Sequence, residues 1–386
     1  MSRSGFFGEM DQSFANNRDS RQAEAARAGA VLHVDLGAVR ENYRRLKERL
    51  GATRCAGVVK ADAYGLGAVQ VAKALAREGC DTFFVAHAGE GLALRAVLGR
   101  EPAIYVLNGT APGAEAEAAA AGLTTVANSL EQLAAWRAAA RKLDRKLPVA
   151  LQVDSGMSRL GMMPSEVETL AADAGLLGGL DVKLVMSHLA CADEPEHPAN
   201  ALQKKNFDRL RGMLPAAPAS LANSSGIFLG ADYHYDLARP GAALYGINPT
   251  PGHANPMREV IRLEAKVIQI RTLEGDIGVG YGHTYRTAGP LRAATISLGY
   301  ADGWHRRAAA GAYFNGVRLP FIGRVSMDSI IIDISALPED ALTAGDLVEL
   351  IGSHQAVDDV AGHAGTIGYE VLTGLGHRFH RIYEGG

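Results

Sequence analysis

The chain is poor in cysteine and carries no excess of charge of either sign. Its 386 residues include 3 cysteines. They are scattered at Cys55, Cys80 and Cys191, without the close spacing of a metal site or a disulfide framework. Such usage favours a reducing compartment. The formal net charge of −3 indicates neither a nucleic-acid partner nor a membrane surface. The histidines also lack the spacing of metal ligands, so a metal-dependent enzyme is not expected.

Long apolar runs are missing as well. No stretch approaches the ~20 consecutive apolar residues that a membrane-spanning helix needs. Residues 1–29 also lack the continuous apolar core of a secretion signal. We therefore expect a mobile tail over residues 1–29 and a soluble, cytoplasmic protein.

Short apolar runs alternate with helical patterns between residues 30 and 257. One such helix is predicted to start at Pro164, where the missing N–H of proline costs no hydrogen bond. Eight strands that alternate with helices predict an α/β fold and favour a (β/α)8 TIM-type barrel over an open doubly wound sheet. The predicted strands span residues 55–59, 82–86, 103–107, 123–127, 148–154, 181–187, 220–223 and 235–238.

A different pattern follows the segment NPTPGHANP, whose prolines and glycines predict a linker. Beyond it come the apolar runs LEAKVIQIRTL, RAATISLGY and SIIIDIS, with no long amphipathic helix between them. This pattern predicts a second, mostly β domain over residues 258–386.

The stretch VVKADAYGLG is the most informative in the chain. The valines end a predicted buried strand and the glycines open a helix, so Lys60 stands where the chain leaves the core. A partly desolvated lysine loses basicity and can form a Schiff base. An isolated VVK would be an ordinary lysine at a strand edge, and only the complete string favours a functional amine.

Polar residues also follow the later predicted strands, at the face where a barrel carries its chemistry. Each one alone has a structural explanation, such as an ion pair or a satisfied histidine, and their joint placement favours a site. The loops NSSG and RPGA, after strands seven and eight, are rich in small residues that let backbone N–H groups approach a phosphate. These strand-end residues are Arg159, His188, Asn223, Ser224 and Arg239.

The string VVKADAYGLG resembles the cofactor-attachment motif of the alanine racemases, and the resemblance extends from about Val31 to the C-terminus. It implies that Lys60 carries pyridoxal 5′-phosphate (PLP). It also implies an amino-acid substrate, a homodimer whose active sites are shared between subunits, and a supply of D-alanine for peptidoglycan.

The same resemblance assigns residues to the parts of the cofactor. Arg239 is expected at the pyridine nitrogen with His188 behind it, and Arg159 at the phenolate oxygen, near the substrate carboxylate. Because arginine only donates, the ring nitrogen must accept, which weakens the electron sink and should restrain side reactions. The other expected cofactor contacts are Tyr64, Asn223, Ser224, Gly241, Ala242 and Tyr369, most of them around the phosphate.

Racemisation needs a base on each face of the substrate Cα. The resemblance implies that Lys60 removes the proton from the D-isomer and that Tyr281, in DIGVGYGHTYRT of the partner subunit, removes it from the L-isomer. Tyrosine needs an environment that favours the phenolate, and the charge of Arg159 is a candidate cause. Tyr300 and Met327 match residues that narrow the substrate pocket, which favours alanine.

One position departs from the family pattern. Gln152 stands where many members have a lysine that becomes carbamylated and braces the phenolate-binding arginine. A neutral amide brings no negative charge, so the bracing of Arg159 is expected to differ.

Three alternatives stay open. A serine racemase or one of broader specificity would differ by as little as one pocket residue. A PLP-dependent decarboxylase would need an acid at the ring nitrogen, and Arg239 argues against it. A non-catalytic PLP carrier would consist of the barrel alone, and the second domain with Tyr281 argues against that.

Overall fold

A computed structural model describes residues 25–386, which form two compact units. One unit contains Asp35–Val260 with Gly385–Gly386, and the other contains residues 25–34 with Ile261–Glu384. Most of the tail predicted over residues 1–29 lies outside the described residues. Within residues 25–386, no helix has the length and apolar character needed to cross a membrane.

The first unit is built on parallel strands that follow one another in chain order. Each of the eight predicted strands is present. The strands are Arg54–Cys55 continued by Gly57–Val58, Thr82–Val85, Ala103–Val106, Thr124–Ala127, Leu147–Gln152, Leu180–Met186, Ala219–Ser220 and Leu237–Ala238.

The eighth strand closes the sheet into a ring. On one side, the N–H of Asp236 donates to the carbonyl of Ala219 in strand seven (3.0 Å). On the other side, the N–H of Ala56 in strand one donates to the carbonyl of Ala238 (3.0 Å). The fold is therefore a (β/α)8 barrel, as predicted. Buried side chains from successive strands, such as Phe84 and Leu184, form one apolar cluster.

Helices connect the earlier strands, and short 3₁₀ turns follow the last two. The predicted helix start at Pro164 is confirmed, with the proline at the first helical position. The helices are Leu36–Leu50, Ala68–Arg77, Ala88–Leu98, Glu115–Ala120, Leu130–Lys142, Pro164–Ala172 and Pro198–Arg211. The short segment Lys60–Gly65 after strand one is left-handed over residues 61–64. The turns after the last two strands are Ser225–Phe228, Ala231–Tyr233 and Ala242–Tyr245. A further 3₁₀ turn, Ala174–Leu177, precedes strand six.

The second unit is mostly β, as predicted, and is organised around the long strand Ile261–Leu273. This strand pairs antiparallel with three others, Ala30–Asp35, Leu291–Ile296 and Leu347–Ile351. The remaining elements are the strands Gly278–Val279, Tyr285–Arg286, Gly311–Phe314, Val317–Pro320, Ile330–Asp333 and His380–Glu384, the helices Val357–Ala364 and Gly368–Gly374, and the turns Tyr281–His283 and Tyr300–Asp302.

The boundary between the units differs from the expected one at its N-terminal side. The sequence placed the barrel from residue 30, whereas strand Ala30–Asp35 pairs with the β unit, Ala30 facing Ala265 and Val34 facing Ile261. An alternating apolar strand fits any half-buried sheet edge, so its pattern does not identify its partner.

Candidate active site

Lys60 follows directly after the first barrel strand, where the sequence predicted it. Burial lowers the pKa of its amine, the charges of Arg159 and Arg239 lower it further, and Glu90 raises it. A lysine with a lowered pKa has a larger fraction of neutral, nucleophilic amine near neutral pH. The site therefore provides an amine suited to imine formation.

The four residues after Lys60 form a left-handed turn that sequence analysis missed. Ala61, Asp62, Ala63 and Tyr64 have φ angles of 53°, 54°, 54° and 58°. This conformation costs about 1–2 kcal/mol for each residue with a Cβ. No glycine lies among the four, so no residue type in this stretch predicts a left-handed backbone. Strained backbone of this kind is concentrated at functional sites.

Hydrogen bonds hold the turn in place. The N–H of Ala63 donates to the carbonyl of Val59 (2.9 Å) and that of Gly67 to the carbonyl of Asp62 (2.9 Å). The Asp62 carboxylate also accepts the N–H of Ala68 (2.7 Å), at the start of the next helix. A single hydrogen bond contributes about 1 kcal/mol net, so several are needed to offset the strain.

Arg239 is a buried cation among neutral acceptors. It donates to the carbonyl of Ser187 (2.6 Å), to the hydroxyl of Ser220 and, at 3.5 Å, to the carbonyl of Leu221. Burial lowers its pKa to about 9, so it remains protonated at neutral pH. Neutral partners leave a net positive charge in the barrel, and this charge favours an anionic or electron-rich ligand.

His188 lies beside Arg239. Its Nδ1 is 3.4 Å from a guanidinium nitrogen of Arg239. Burial lowers the pKa of His188 to about 3, and the charges of Arg239, Arg159 and Lys60 act in the same direction. The imidazole is therefore neutral and adds no charge to the site.

The loops after strands seven and eight meet at Ser224. Its hydroxyl accepts the N–H groups of Gly241 (3.0 Å) and Ala243 (3.2 Å). Ala242 lies between them, at the start of a 3₁₀ turn. These two hydrogen bonds join the two loops, and binding of a phosphate there stays a prediction. Asn223 closes the preceding turn, since its Oδ1 accepts the N–H of Gly226 (2.9 Å).

Arg159 lies in the loop after strand five, and the carboxylate of Asp154 organises this loop. Asp154 accepts the N–H groups of Gly156, Met157 and Ser158 at 2.9 to 3.1 Å. Asp154 was not predicted to have a role, although a carboxylate before a glycine is a common turn signal.

The serines behind the site were also missed. Ser187 donates its hydroxyl to the carbonyl of Val153 (2.8 Å) and accepts Arg239 through its own carbonyl (2.6 Å). A strand-end serine carries no distinctive sequence pattern, so only the tertiary contacts reveal the role of Ser187. Gln152 is buried in strand five.

The other predicted residues belong to the β unit. Tyr281 is 68% exposed between two glycines of positive φ, and Tyr300 and Met327 are 41% and 52% exposed. Tyr300 and Met327 are neighbours, because the N–H of Tyr300 donates to the carbonyl of Ser326 (3.1 Å). Tyr369 lies in the first turn of helix Gly368–Gly374. The approach of these residues to Lys60 stays a prediction.

Comparisons with known proteins agree with this geometry. The chain matches the alanine racemase N-terminal domain over residues 34–249 and the alanine racemase C-terminal domain over residues 260–383. It is 68% identical over 364 residues to the "Alanine racemase, catabolic" of Mesorhizobium japonicum, covering 94% of this chain and 95% of that relative. It is 52% identical over 366 residues to a protein of the same description from Agrobacterium fabrum, covering 94% of each.

A solved structure of similar shape is the alanine racemase from Bartonella henselae with covalently bound pyridoxal phosphate. It superposes with a TM-score of 0.88 at 43% identity, covering 92% of this chain and 99% of that one. Both domains and almost the whole length are therefore matched. The chain belongs to the alanine racemase family, a family of isomerases.

Proposed function

We propose that the protein interconverts L-alanine and D-alanine with PLP attached to Lys60. The observation that carries this proposal is the desolvated amine of Lys60 at the end of a barrel strand, within electrostatic reach of Arg159 and Arg239. Family membership and the covalent PLP of the Bartonella relative support the same assignment.

The residues of the barrel fit the chemical groups of PLP. A phosphate dianion suits the hydroxyl of Ser224, which lies beside the small-residue backbone of Gly241 and Ala242. A pyridine nitrogen suits Arg239, whose charge lies among neutral acceptors. Tyr64, Asn223, Ala242 and Tyr369 remain proposed contacts of the cofactor, and Arg159 remains the proposed partner of its phenolate oxygen. When bound, PLP draws electrons from the substrate Cα and makes its proton acidic.

Two bases then move protons on opposite faces of the Cα. The neutral amine of Lys60 takes the proton of the D-isomer at its Nζ, and the Tyr281 hydroxyl gives one to the other face. The roles reverse for the L-isomer, where Tyr281 acts as the phenolate and Lys60 as the ammonium. The lowered pKa of Lys60 supports the first role because a general base works best with a pKa near the operating pH.

Arg239 limits the reaction to proton transfer. A guanidinium donates hydrogen bonds and accepts none, so it holds a ring nitrogen unprotonated. His188, with a pKa of about 3, is neutral, so the positive charge at this position comes from Arg239 alone of the two. The arrangement disfavours the decarboxylase alternative, which benefits from an acid at the same position.

The proposal requires a homodimer. Tyr281, Tyr300 and Met327 are large apolar side chains that the single chain leaves exposed in its β unit, and such side chains are typical of a surface that a partner covers. We propose that a second copy places Tyr281 opposite Lys60 and that Tyr300 and Met327 restrict the pocket to the methyl side chain of alanine.

The physiological direction is a separate question, because two enantiomers have equal free energy and the enzyme works both ways. The family resemblance suggested a supply of D-alanine for peptidoglycan, whereas two relatives are described as catabolic. We propose the catabolic role. Gene deletion tests it: loss of growth on alanine as carbon source supports it, and a requirement for added D-alanine contradicts it.

The activity is tested by incubating the purified protein separately with L-alanine, L-serine and L-lysine and following the loss of optical rotation. Loss with L-alanine alone supports the proposal. Faster loss with serine or lysine indicates the broader-specificity alternative, and no loss with any of them overturns the racemase assignment. In the Lys60→Ala variant, the visible absorbance of bound cofactor that borohydride abolishes should be lost, and its survival would contradict attachment at Lys60.

A further inference from the structure

The carboxylate of Glu90 joins the ends of the first two barrel strands. Its Oε1 accepts the N–H of Ala61 (2.7 Å), the first residue of the left-handed turn. Its Oε2 accepts the N–H groups of Ala86 (2.7 Å) and His87 (3.1 Å), which follow strand two. All three donors are backbone groups, and together they use both oxygens of one carboxylate.

We infer that Glu90 is a positioning residue, which holds the left-handed turn 61–64 against strand two and thereby fixes the Lys60 amine at the barrel mouth. The inference rests on the proposed function, in which Lys60 carries the cofactor. Ala61 is the peptide neighbour of Lys60, so a bond to its N–H restrains the backbone from which the amine projects.

The charge of Glu90 has a second effect on Lys60. The charged groups that act on the amine are Arg159 and Arg239, which lower its pKa, and Glu90, which raises it. Neutralising Glu90 therefore removes an opposing influence, and the pKa of Lys60 should fall further. A carboxylate too far from the amine to act on its charge would leave that pKa unchanged.

The chain supplies a matched control in Glu166. Its Oε2 accepts the N–H of Met163 (2.9 Å) at a helix start, and its Oε1 accepts the N–H of Leu130 (3.0 Å) from a neighbouring segment of the barrel. Glu90 and Glu166 thus have the same capping geometry and the same bridging role. Glu166 does not appear among the groups that shift the pKa of Lys60.

The first experiment measures the Lys60 amine in protein freed of PLP. Glu90→Gln, Glu166→Gln and the unmodified chain are labelled with an amine-selective reagent over a pH series, and modification of Lys60 is read by mass spectrometry. We expect the pH at which labelling of Lys60 is half complete to fall by roughly 0.5–1 pH unit in Glu90→Gln. The same midpoint should be unchanged in Glu166→Gln. Equal midpoints in all three proteins would overturn the inference.

The second experiment measures cofactor retention and kinetics in the loaded enzyme. Glu90→Gln should release PLP faster and lower kcat by roughly tenfold or more, with KM little changed, while Glu166→Gln should match the unmodified enzyme. Equal losses of PLP and of kcat in the two variants would show that Glu90 only caps a helix and does not position Lys60. If the unmodified protein racemises nothing, the proposed function fails, whereas the labelling result still decides the position of the Lys60 amine.

A further variant guards against misfolding. If Glu90→Gln does not fold, glycine at position 61 removes the cost of positive φ, and the double variant Glu90→Gln with Ala61→Gly should recover the fold. Its Lys60 midpoint should still be lowered, because the charge of Glu90 remains absent. An unchanged midpoint in the folded double variant would contradict the inference.

Discussion

The hydroxyl oxygen of Tyr64 lies so close to Gly241 that a Cβ added at Gly241 would be 2.4 Å from it. Tyr64 ends the left-handed turn after strand one, and Gly241 follows strand eight. The contact therefore joins the two segments that flank the closure of the barrel. It also lies beside Ser224, which accepts the N–H of Gly241 (3.0 Å).

We predict that Gly241→Ala weakens PLP binding. The new methyl group has to displace Tyr64, and overpacking of this kind costs about 1–3 kcal/mol, where 1.4 kcal/mol corresponds to a factor of ten. The dissociation constant of PLP, measured by titrating protein freed of the cofactor, should rise by roughly tenfold or more. Gly362→Ala is a suitable control because a Cβ there meets nothing within 4 Å. Unchanged affinity in Gly241→Ala would show that Tyr64 has no part in the phosphate site.

Tyr281→Phe tests the second base. Tyr281 is 68% exposed in the single chain, so loss of its hydroxyl should leave the fold and bound PLP intact. Racemisation should fall by roughly 10²–10⁴-fold, the usual contribution of a general base, with unequal α-deuterium isotope effects for the two enantiomers.

The matched control is Tyr285→Phe, in the strand Tyr285–Arg286 that pairs with Gly278–Val279 on the other side of the Tyr281 turn. Its turnover should stay near that of the unmodified enzyme. Full activity in Tyr281→Phe would remove the two-base mechanism.

Arg378 stabilises the turn that carries Tyr300. Its guanidinium donates to both oxygens of the buried Asp302 (2.6 and 2.8 Å) and to Asp328 (2.8 Å). Asp302 in turn accepts the N–H of Gly299 (2.8 Å), just before Tyr300. Arg378 and Asp328 thus have structural partners inside the β unit.

Arg378→Ala should lower the free energy of unfolding by about 1–2 kcal/mol. The substitution leaves the buried carboxylate of Asp302 without its charged partner and close to the carboxylate of Asp328 on the same arginine. Urea denaturation measures this loss. Arg286→Ala breaks an exposed pair with Asp276, and its loss of stability should be much smaller because water and salt screen an exposed ion pair. Equal losses in the two variants would mean that Asp302 does not depend on Arg378.

The pH dependence of the β unit should reflect His33. Hydrogen bonds to Glu264 (3.2 Å) and Glu384 (2.9 Å) raise the pKa of His33 above 6.5, and the bond to His33 lowers the pKa of Glu264 below 4.5. The raised pKa of His33 contributes stability that is complete below pH 6.5 and is lost as the pH rises through the folded-state pKa of His33. The lowered pKa of Glu264 contributes stability that is complete above pH 4.5 and is lost as the pH falls through the folded-state pKa of Glu264.

After correction for the intrinsic pH dependence of exchange, amide exchange of strand Ala30–Asp35 should therefore be slowest between pH 4.5 and pH 6.5. In His33→Gln the acceleration above pH 6.5, after correction for the intrinsic pH dependence of exchange, should disappear. An identical corrected profile in the variant would contradict the role of His33.

Local sequence patterns determined most of the secondary structure of the barrel. The eight barrel strands, the helix at Pro164 and the position of Lys60 at a strand end all follow from apolar runs and helix-start signals within a few residues. Arg239, His188 and Ser224 could be named because a barrel brings the carboxyl ends of its strands together. The family resemblance then gave each of them a role.

Contacts between residues distant in sequence decided the rest. Strand Ala30–Asp35 belongs to the β unit because it pairs with strand Ile261–Leu273. That partner lies more than two hundred residues further along the chain, so the local sequence does not reveal it. The left-handed turn after Lys60 exists because Glu90 and the carbonyl of Val59 hold backbone that its own residues would not adopt alone. Propensity acts over a few neighbouring residues, whereas strain and buried charge are stabilised only by groups that folding brings together.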